Sequence, residues 1–224
     1  NMAFAVIVAA GRGTRMGSDK LFLEVGGLPV VGHSWKRFDA HPAIEEVVLV
    51  VRPDNHSAFD ELAPRLGLKR PYTLVGGGAE RQDSVLNGLK AVPAGVEVVA
   101  IHDGARPCTD EQTITDTLSA AGRHGAAVAA SPVVDTLKQA GGDLTISRNV
   151  DRTHLWAVQT PQAFRREIIF EAMSAVRDQN AAVTDDTAAC ELIGQEVILV
   201  SSHALNPKVT TPADLPLVEF LLSQ

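Results

Sequence analysis

Apolar residues in this chain come in short unbroken runs, and amphipathic stretches of helical length separate them. The run opening at Ala3 (AFAVIVAA) has no alternation, which marks a strand buried on both faces inside a parallel sheet. Leu21–Val25 is a short extended piece turned by Gly26-Gly27, and Pro29 suits the first turn of a helix running to about Ala40. Ile44–Val51 is a second buried strand, stopped at Arg52-Pro53, and a helix follows near Ser57–Leu66. Tyr72–Val75 ends in Gly76-Gly77-Gly78, and a helix of about Glu80–Ala91 starts on that turn. Val96–Ile101 leads into His102-Asp103-Gly104-Ala105-Arg106-Pro107, followed by a helix near Glu111–His124 and a small-residue strand at Ala126–Ala130. Strands alternating with helices at this spacing predict an α/β fold with one doubly wound, mostly parallel sheet.

The rhythm breaks once, between Val133 and Trp156. Asp135–Lys138 and Leu144–Ser147 flank Gly141-Gly142, which reads as a polar two-stranded arm with a glycine turn. An isolated hairpin is marginal in water, so it is expected to lean on something, and a partner subunit is one support. The pattern then resumes with a strand at Leu155–Gln159, helices at Arg166–Arg177 and Thr187–Ile193, a strand at Glu196–Val200 and a last helix from Pro212. A single domain over 1–224 is expected, with 134–155 as the arm.

Composition narrows the class. With 45% hydrophobic and 21% charged residues among 224, the chain can bury a large core. A net charge of -7 argues against a general nucleic-acid binder, so cations holding an anionic substrate must be local. Two distant cysteines, Cys108 and Cys190, have no metal-ligand spacing and fit a reducing compartment. Without a leader pattern or a stretch long enough to span a bilayer, a cytoplasmic protein is expected.

The candidate chemistry begins where the first strand ends. Gly11, Gly13 and Gly17 alternate with Arg12, Arg15 and Lys20. A glycine-rich turn there is where α/β proteins hold phosphates. No Gly-Lys-Ser/Thr closes the loop, so it is not a P-loop. Gly13 and Gly17 are four apart and no ribose-binding acid follows, which removes the dinucleotide fingerprint. Glycine backbone with Arg15 and Lys20 suits a triphosphate.

AAGRGTRMGSDK resembles the G-x-G-x-R-M…K signature of the sugar-nucleotidyltransferases. GGGAERQDSVLNGL, HDGARP, DTLK, DRTHLWAVQTPQAF, TDDTA and PKVTTPADL follow in the order and spacing of one branch. On these motifs the chain is similar, over essentially its whole length, to the 2-C-methyl-D-erythritol 4-phosphate cytidylyltransferases of the non-mevalonate isoprenoid pathway. The resemblance implies a Rossmann-like nucleotidyltransferase fold. It also implies transfer of a cytidylyl group from CTP to a polyol phosphate, with release of pyrophosphate and a requirement for Mg²⁺ or another divalent cation.

Carried over residue by residue, Ala10, Gly11, Arg12 and Gly13 wrap the triphosphate, where side chains would block the approach. Arg15 and Lys20 stabilise charge on the α-phosphate and the leaving pyrophosphate. Gly77, Gly78, Arg81 and Ser84 form the turn that reads cytosine. Asp103 either meets a substrate hydroxyl or helps hold the metal, and Arg106 approaches the same place. Thr136, Arg152, Thr160, Thr184 and Lys208 cradle the acceptor phosphate. The resemblance further implies a homodimer in which the arm crosses to the other subunit, so Thr136 and Arg152 act in the neighbour's site.

The attacking phosphate monoester is already ionised near neutral pH, so no general base is needed. His102 adjoins Asp103, but neighbours in a strand point to opposite faces, and His102 reads as structural. Two positions depart from the family pattern: Ala79 where relatives often carry an acid, and Ser18-Asp19 where a Pro-Lys-Gln run is common. The competing expectations are the same reaction on ribitol 5-phosphate and a non-catalytic nucleotide-binding homologue.

Overall fold

The opening apolar run is the axis of a seven-stranded sheet. The computed structural model describes residues 3–11 and 19–224. Strand β1 (Ala3–Ala9) lies between two parallel neighbours and is followed, after one 3₁₀ turn at Lys20–Phe22, by a small hairpin of β2 (Glu24–Val25) and β3 (Leu28–Pro29). Next come α1 (Val30–Ala40), β4 (Ile44–Val51), α2 (His56–Leu66), β5 (Tyr72–Gly76), α3 (Arg81–Lys90), β6 (Val98–Asp103) and α4 (Glu111–His124). The second half runs through β7 (Ala126–Pro132), β8 (Leu137–Ala140), β9 (Ile146–Val150) and β10 (Trp156–Arg165). It ends with α5 (Arg166–Asp178), α6 (Asp186–Glu191), β11 (Ile198–Ser201) and α7 (Leu215–Leu222).

The sheet order is β11-β7-β10-β6-β1-β4-β5, with β10 antiparallel to both neighbours and the other pairings parallel. Alternate residues of β1 explain its unbroken apolar run. Ala3, Ala5, Ile7 and Ala9 enter a core with Trp35, Phe38 and Phe59, while Phe4 and Val6 enter a second core with Val85, Leu89 and Ile169. Both faces are covered, as a doubly wound sheet requires. Helix ends match their local chemistry. Asp110 accepts from Thr113 N at 2.8 Å to start α4, and Glu80 with Asp83 makes a reciprocal capping box on α3.

Among the boundaries that differ from the sequence expectation, three bear on the cleft and the arm. Strand β6 continues past Ile101 to Asp103, so the acid of the HDGARP run stands on the strand's last position. Strand β10 continues past Gln159 to Arg165: its ladder to β7 lapses between Val158 and Gln162, where Pro161 has no N–H to give, and then resumes, with Gln162–Arg165 also paired to β6. The arm's strands start two residues later than predicted. Asp143 accepts from both Thr145 N (3.0 Å) and Thr145 Oγ1 (2.9 Å), which draws Asp143–Thr145 into the turn.

Candidate active site

A cleft of about 370 Å³ opens at the C-terminal ends of β1 and β6, where open α/β sheets hold their ligands. Ala10 and Gly11 form one wall beyond β1. Arg12, Gly13 and Arg15 lie outside the described residues. Lys20 lines the cleft from the 3₁₀ turn, which Asp19 caps by accepting Leu21 N at 3.1 Å. Asp19 Oδ2 also accepts from Asn55 Nδ2 at 2.6 Å and stands 3.7 Å from Arg52, so its charge is turned onto its own supports.

The opposite wall is the β5–α3 turn. Gly77 N donates to Val51 O at 2.8 Å, and a Cβ on Gly77 would overlap the Ala10 methyl. Gly78 is pressed against Asp83 in the same way, so two glycines are needed for α3 to begin this close to the first strand's loop. Gly78 N donates to Ser84 Oγ at 3.0 Å, which leaves the Ser84 hydroxyl proton available on the cleft lining. Ala79 lines the cleft as well, without an acid to offer.

Asp103 is the floor. Lys208 Nζ donates to its Oδ2 at 2.8 Å, Arg106 Nε lies 3.5 Å from the same oxygen, and Arg81 Nη2 lies 3.8 Å from Oδ1. Burial alone would raise the Asp103 pKa; the Lys208 ammonium, with Arg81 beyond it, outweighs burial and lowers it to about 2. Lys208 reaches this place because Val209 N donates to Ala105 O at 2.8 Å, tying the PKVTT segment to the HDGAR turn. Lys208 is therefore part of the cleft.

Behind Asp103 the backbone is held by side chains. Asp103 N donates to Thr160 Oγ1 at 3.0 Å, and the Thr160 hydroxyl can donate in turn to His102 Nδ1 at 3.0 Å. His102 Nε2 then donates to Arg106 O at 3.0 Å, and Ser34 Oγ donates to Gly104 O at 2.8 Å. Fully buried, His102 is pushed down to about pKa 4 and stays neutral. Its two ring nitrogens are engaged, so it has no role as a base here. The burial of Cys108 pushes its thiol up to about 11, which makes it inert at neutral pH.

The structure divides the predicted acceptor residues. Thr160 is 3% exposed with its hydroxyl in the network above, so it enters as a support of Asp103. Arg106 likewise braces from behind, donating Nη1 to Asn206 O at 2.7 Å. Thr136, Arg152 and Thr184 are exposed, and none of them lines this chain's own cleft. The Arg152 guanidinium donates to Val134 O at the base of the arm. Two residues that sequence reading passed over stand out. Asn206 ties Thr160 to the Lys208 segment through Thr160 O at 2.8 Å, and Asp186 pairs with Arg81. The TDDTA run was visible, but which of its acids faces inward depends on the register of a short helix.

Comparison with known proteins points to one family. The family model for 2-C-methyl-D-erythritol 4-phosphate cytidylyltransferase matches residues 3–224. A relative of that name from Pelotomaculum thermopropionicum is 45% identical over 221 residues, covering 97% of this chain and 93% of its own. One from Geobacillus kaustophilus is 43% identical, covering 98% and 96%. Among solved structures, a 4-diphosphocytidyl-2C-methyl-D-erythritol synthase from Anaerococcus prevotii superposes with a TM-score of 0.87 at 28% identity, over 100% of this chain and 97% of that one. A 2-C-methyl-D-erythritol 4-phosphate cytidylyltransferase from Thermus thermophilus gives 0.81 at 32% identity, over 100% of both. With a cleft built at the strand ends by these motifs and a family match over the whole described length, the chain belongs to the 2-C-methyl-D-erythritol 4-phosphate cytidylyltransferase family.

Proposed function

We propose that the protein transfers the cytidylyl group of CTP to 2-C-methyl-D-erythritol 4-phosphate, giving 4-diphosphocytidyl-2-C-methyl-D-erythritol and pyrophosphate. The observation that carries this reading is the meeting of four parts in one cleft. A glycine turn with Ser84, the cation Lys20, the acid Asp103 and the cation Lys208 line it in a chain of this family.

An oxygen of the acceptor phosphate attacks the α-phosphorus, the new P–O bond forms, and the bond to the β-phosphate bridging oxygen breaks. Both reacting groups are anions, so the barrier is charge, and cations fixed before the reaction lower it. Lys20 lines the cleft on the side proposed for the phosphates, and the role that the family resemblance gives Arg15 falls on a residue outside those described. Lys208 has its ammonium at the cleft floor, placed to hold the acceptor phosphate beside Asp103. No proton has to be removed, which agrees with a neutral, fully engaged His102.

Mg²⁺ fits this site through Asp103. Its Oδ2 is held by Lys208, while the charged neighbour of Oδ1 is Arg81 Nη2 at 3.8 Å, beyond hydrogen-bond reach. No three His, Cys, Asp or Glu gather among the described residues, so a bound cation would take one carboxylate oxygen here and its other ligands from phosphates and water. When bound, it would neutralise triphosphate charge.

The arm supports a homodimer in which Thr136 and Arg152 serve the partner's cleft. Val134 (75% exposed), Leu144 (85%), Ile146 (61%) and Trp156 (37%) leave apolar side chains uncovered along it. Among the described residues no helix is long and apolar enough to cross a membrane.

The test is an acceptor screen. Purified protein with CTP and Mg²⁺ is offered 2-C-methyl-D-erythritol 4-phosphate or ribitol 5-phosphate, and pyrophosphate is measured. Preference for the first supports the proposal. Preference for ribitol 5-phosphate reassigns the acceptor, and no release with either leaves a nucleotide-binding homologue.

A further inference from the structure

Helix α6 begins with two acids, and the structure gives them different work. Asp185 is the cap: Oδ1 accepts Ala188 N at 2.9 Å, and Oδ2 accepts Thr187 Oγ1 at 2.9 Å. Gln162 of β10 fastens this turn by accepting Asp186 N at 3.1 Å and Thr187 N at 3.2 Å, and by donating to Asp185 Oδ2 at 3.1 Å. The helix start is satisfied without the Asp186 carboxylate. That carboxylate is nevertheless 2% exposed, and an unpaired charge there would be costly.

Its partner is Arg81, on the first turn of α3. Arg81 Nη1 donates to Asp186 Oδ1 at 2.9 Å and Nη2 to Oδ2 at 2.8 Å, a two-pronged pair that fixes the guanidinium plane. Arg81 lines the cleft between the glycine turn and Asp103. Its Nη2 is 3.8 Å from Asp103 Oδ1, near enough for attraction and too far for a hydrogen bond. A movement of about 1 Å would close that bond, because good N–H···O contacts lie near 2.9 Å. The carboxylate oxygen that Lys208 leaves open would then be covered.

We infer that Asp186 is a positioning residue for the nucleotide site, holding Arg81 at the cleft wall and off Asp103, so that Asp103 Oδ1 stays uncovered. Arg81, still charged but paired, then presents its remaining N–H groups as fixed donors rather than as a mobile charge drawn to phosphate. This rests on the CTP reading above and adds a residue to it. A mere tether between α3 and α6 would hold stability and leave the handling of CTP alone.

The experiment compares Asp186→Asn, Arg81→Gln and the double variant, reading the KM for CTP, kcat and thermal unfolding. Asp186→Asn is expected to raise the CTP KM roughly 10- to 100-fold, the scale on which a ~1 Å misplacement is felt, with a smaller change in kcat. Added to Arg81→Gln, it is expected to leave KM where Arg81→Gln alone put it. An unchanged KM, or the same rise with and without Arg81, would overturn the inference even if unfolding shifts. Should Asp186→Asn not fold, Asp186→Glu keeps the charge, lengthens the side chain by one methylene, and is read the same way. If the parent releases no pyrophosphate with any acceptor, the functional reading fails, and calorimetric CTP affinities of the same variants still decide the role of Asp186.

Discussion

Lys208 Nζ donates to Asp103 Oδ2 across 2.8 Å, joining residues 105 positions apart at the floor of the cleft. The Asp103 pKa of about 2 lies below its ordinary 3.8. Its stabilisation is therefore full above about pH 4 and is lost as pH falls through 2. Lys208→Ala is expected to lower Tm by a few degrees at neutral pH, with that deficit shrinking between pH 4 and pH 2, where the parent's carboxyl also protonates. Thermal melts of both proteins across that range check it. A deficit independent of pH would mean that Lys208 stabilises by packing.

Lys20→Ala removes a cation from the phosphate side of the cleft without touching the glycine turn. The expected result is a fall in kcat on the order of 10²–10³-fold, the usual effect of losing one transition-state partner, while CTP still binds. Steady-state kinetics with a parallel CTP titration separates the two. Unchanged turnover would remove Lys20 from the chemistry.

Much of this arrangement was legible in the chain, and the parts that were not share a physical reason. The unbroken run of β1 and the glycine turns are local signals, and they placed the cleft at the strand ends. The pairs Lys208–Asp103 and Arg81–Asp186 are products of sheet order, which no local spacing encodes. Thr160 and Arg106 stand in the right motifs, but which face each presents depends on the antiparallel β10 and on the Asn206 segment. Asp19 reads as a charge near the phosphate loop. It is a cap, because Asn55 from another element holds it there.

His102 makes a second pH prediction of the same sign in a higher window. Burial lowers its pKa from 6.5 to about 4, so between those values the unfolded chain binds a proton that the folded chain refuses. Stability should thus fall as pH drops from 6.5 to 4, by roughly 3 kcal/mol from this residue, and level off below. His102→Asn is expected to be less stable at neutral pH and to show a shallower decline over that window. Urea unfolding at several pH values measures both slopes, and equal slopes would clear His102 of the effect.

The contact between Gly77 and Ala10 offers a test of the glycine turn by rescue. Gly77→Ala puts a methyl into the Ala10 methyl, and overpacking of this kind costs about 1–3 kcal/mol. Because Ala10 and the neighbouring Gly78 line the cleft, the CTP KM should rise with it. Ala10→Gly removes the obstructing atom and leaves Ser84 Oγ at 3.2 Å as the nearest neighbour. The double variant is expected to regain most of the lost stability and affinity. Failure of the rescue would place the need for glycine in the close approach of Ser84 Oγ instead.

Subunit mixing decides whether the arm serves its own cleft or a neighbour's. Arg152 stands on the exposed segment that closes the arm, and within its own chain it reaches the Val134 carbonyl rather than the cleft lining. Arg15→Ala and Arg152→Ala should each be nearly inactive alone. If each site of a two-fold dimer takes Arg15 from one subunit and Arg152 from the other, a mixed dimer has one site missing both arginines and one missing neither. Random exchange of equal amounts makes half the dimers mixed, so about a quarter of the parent's activity should return. If both arginines act within one chain, every site in every dimer lacks one of them and nothing returns. Activity against mixing ratio, peaking at equal amounts, distinguishes the two arrangements.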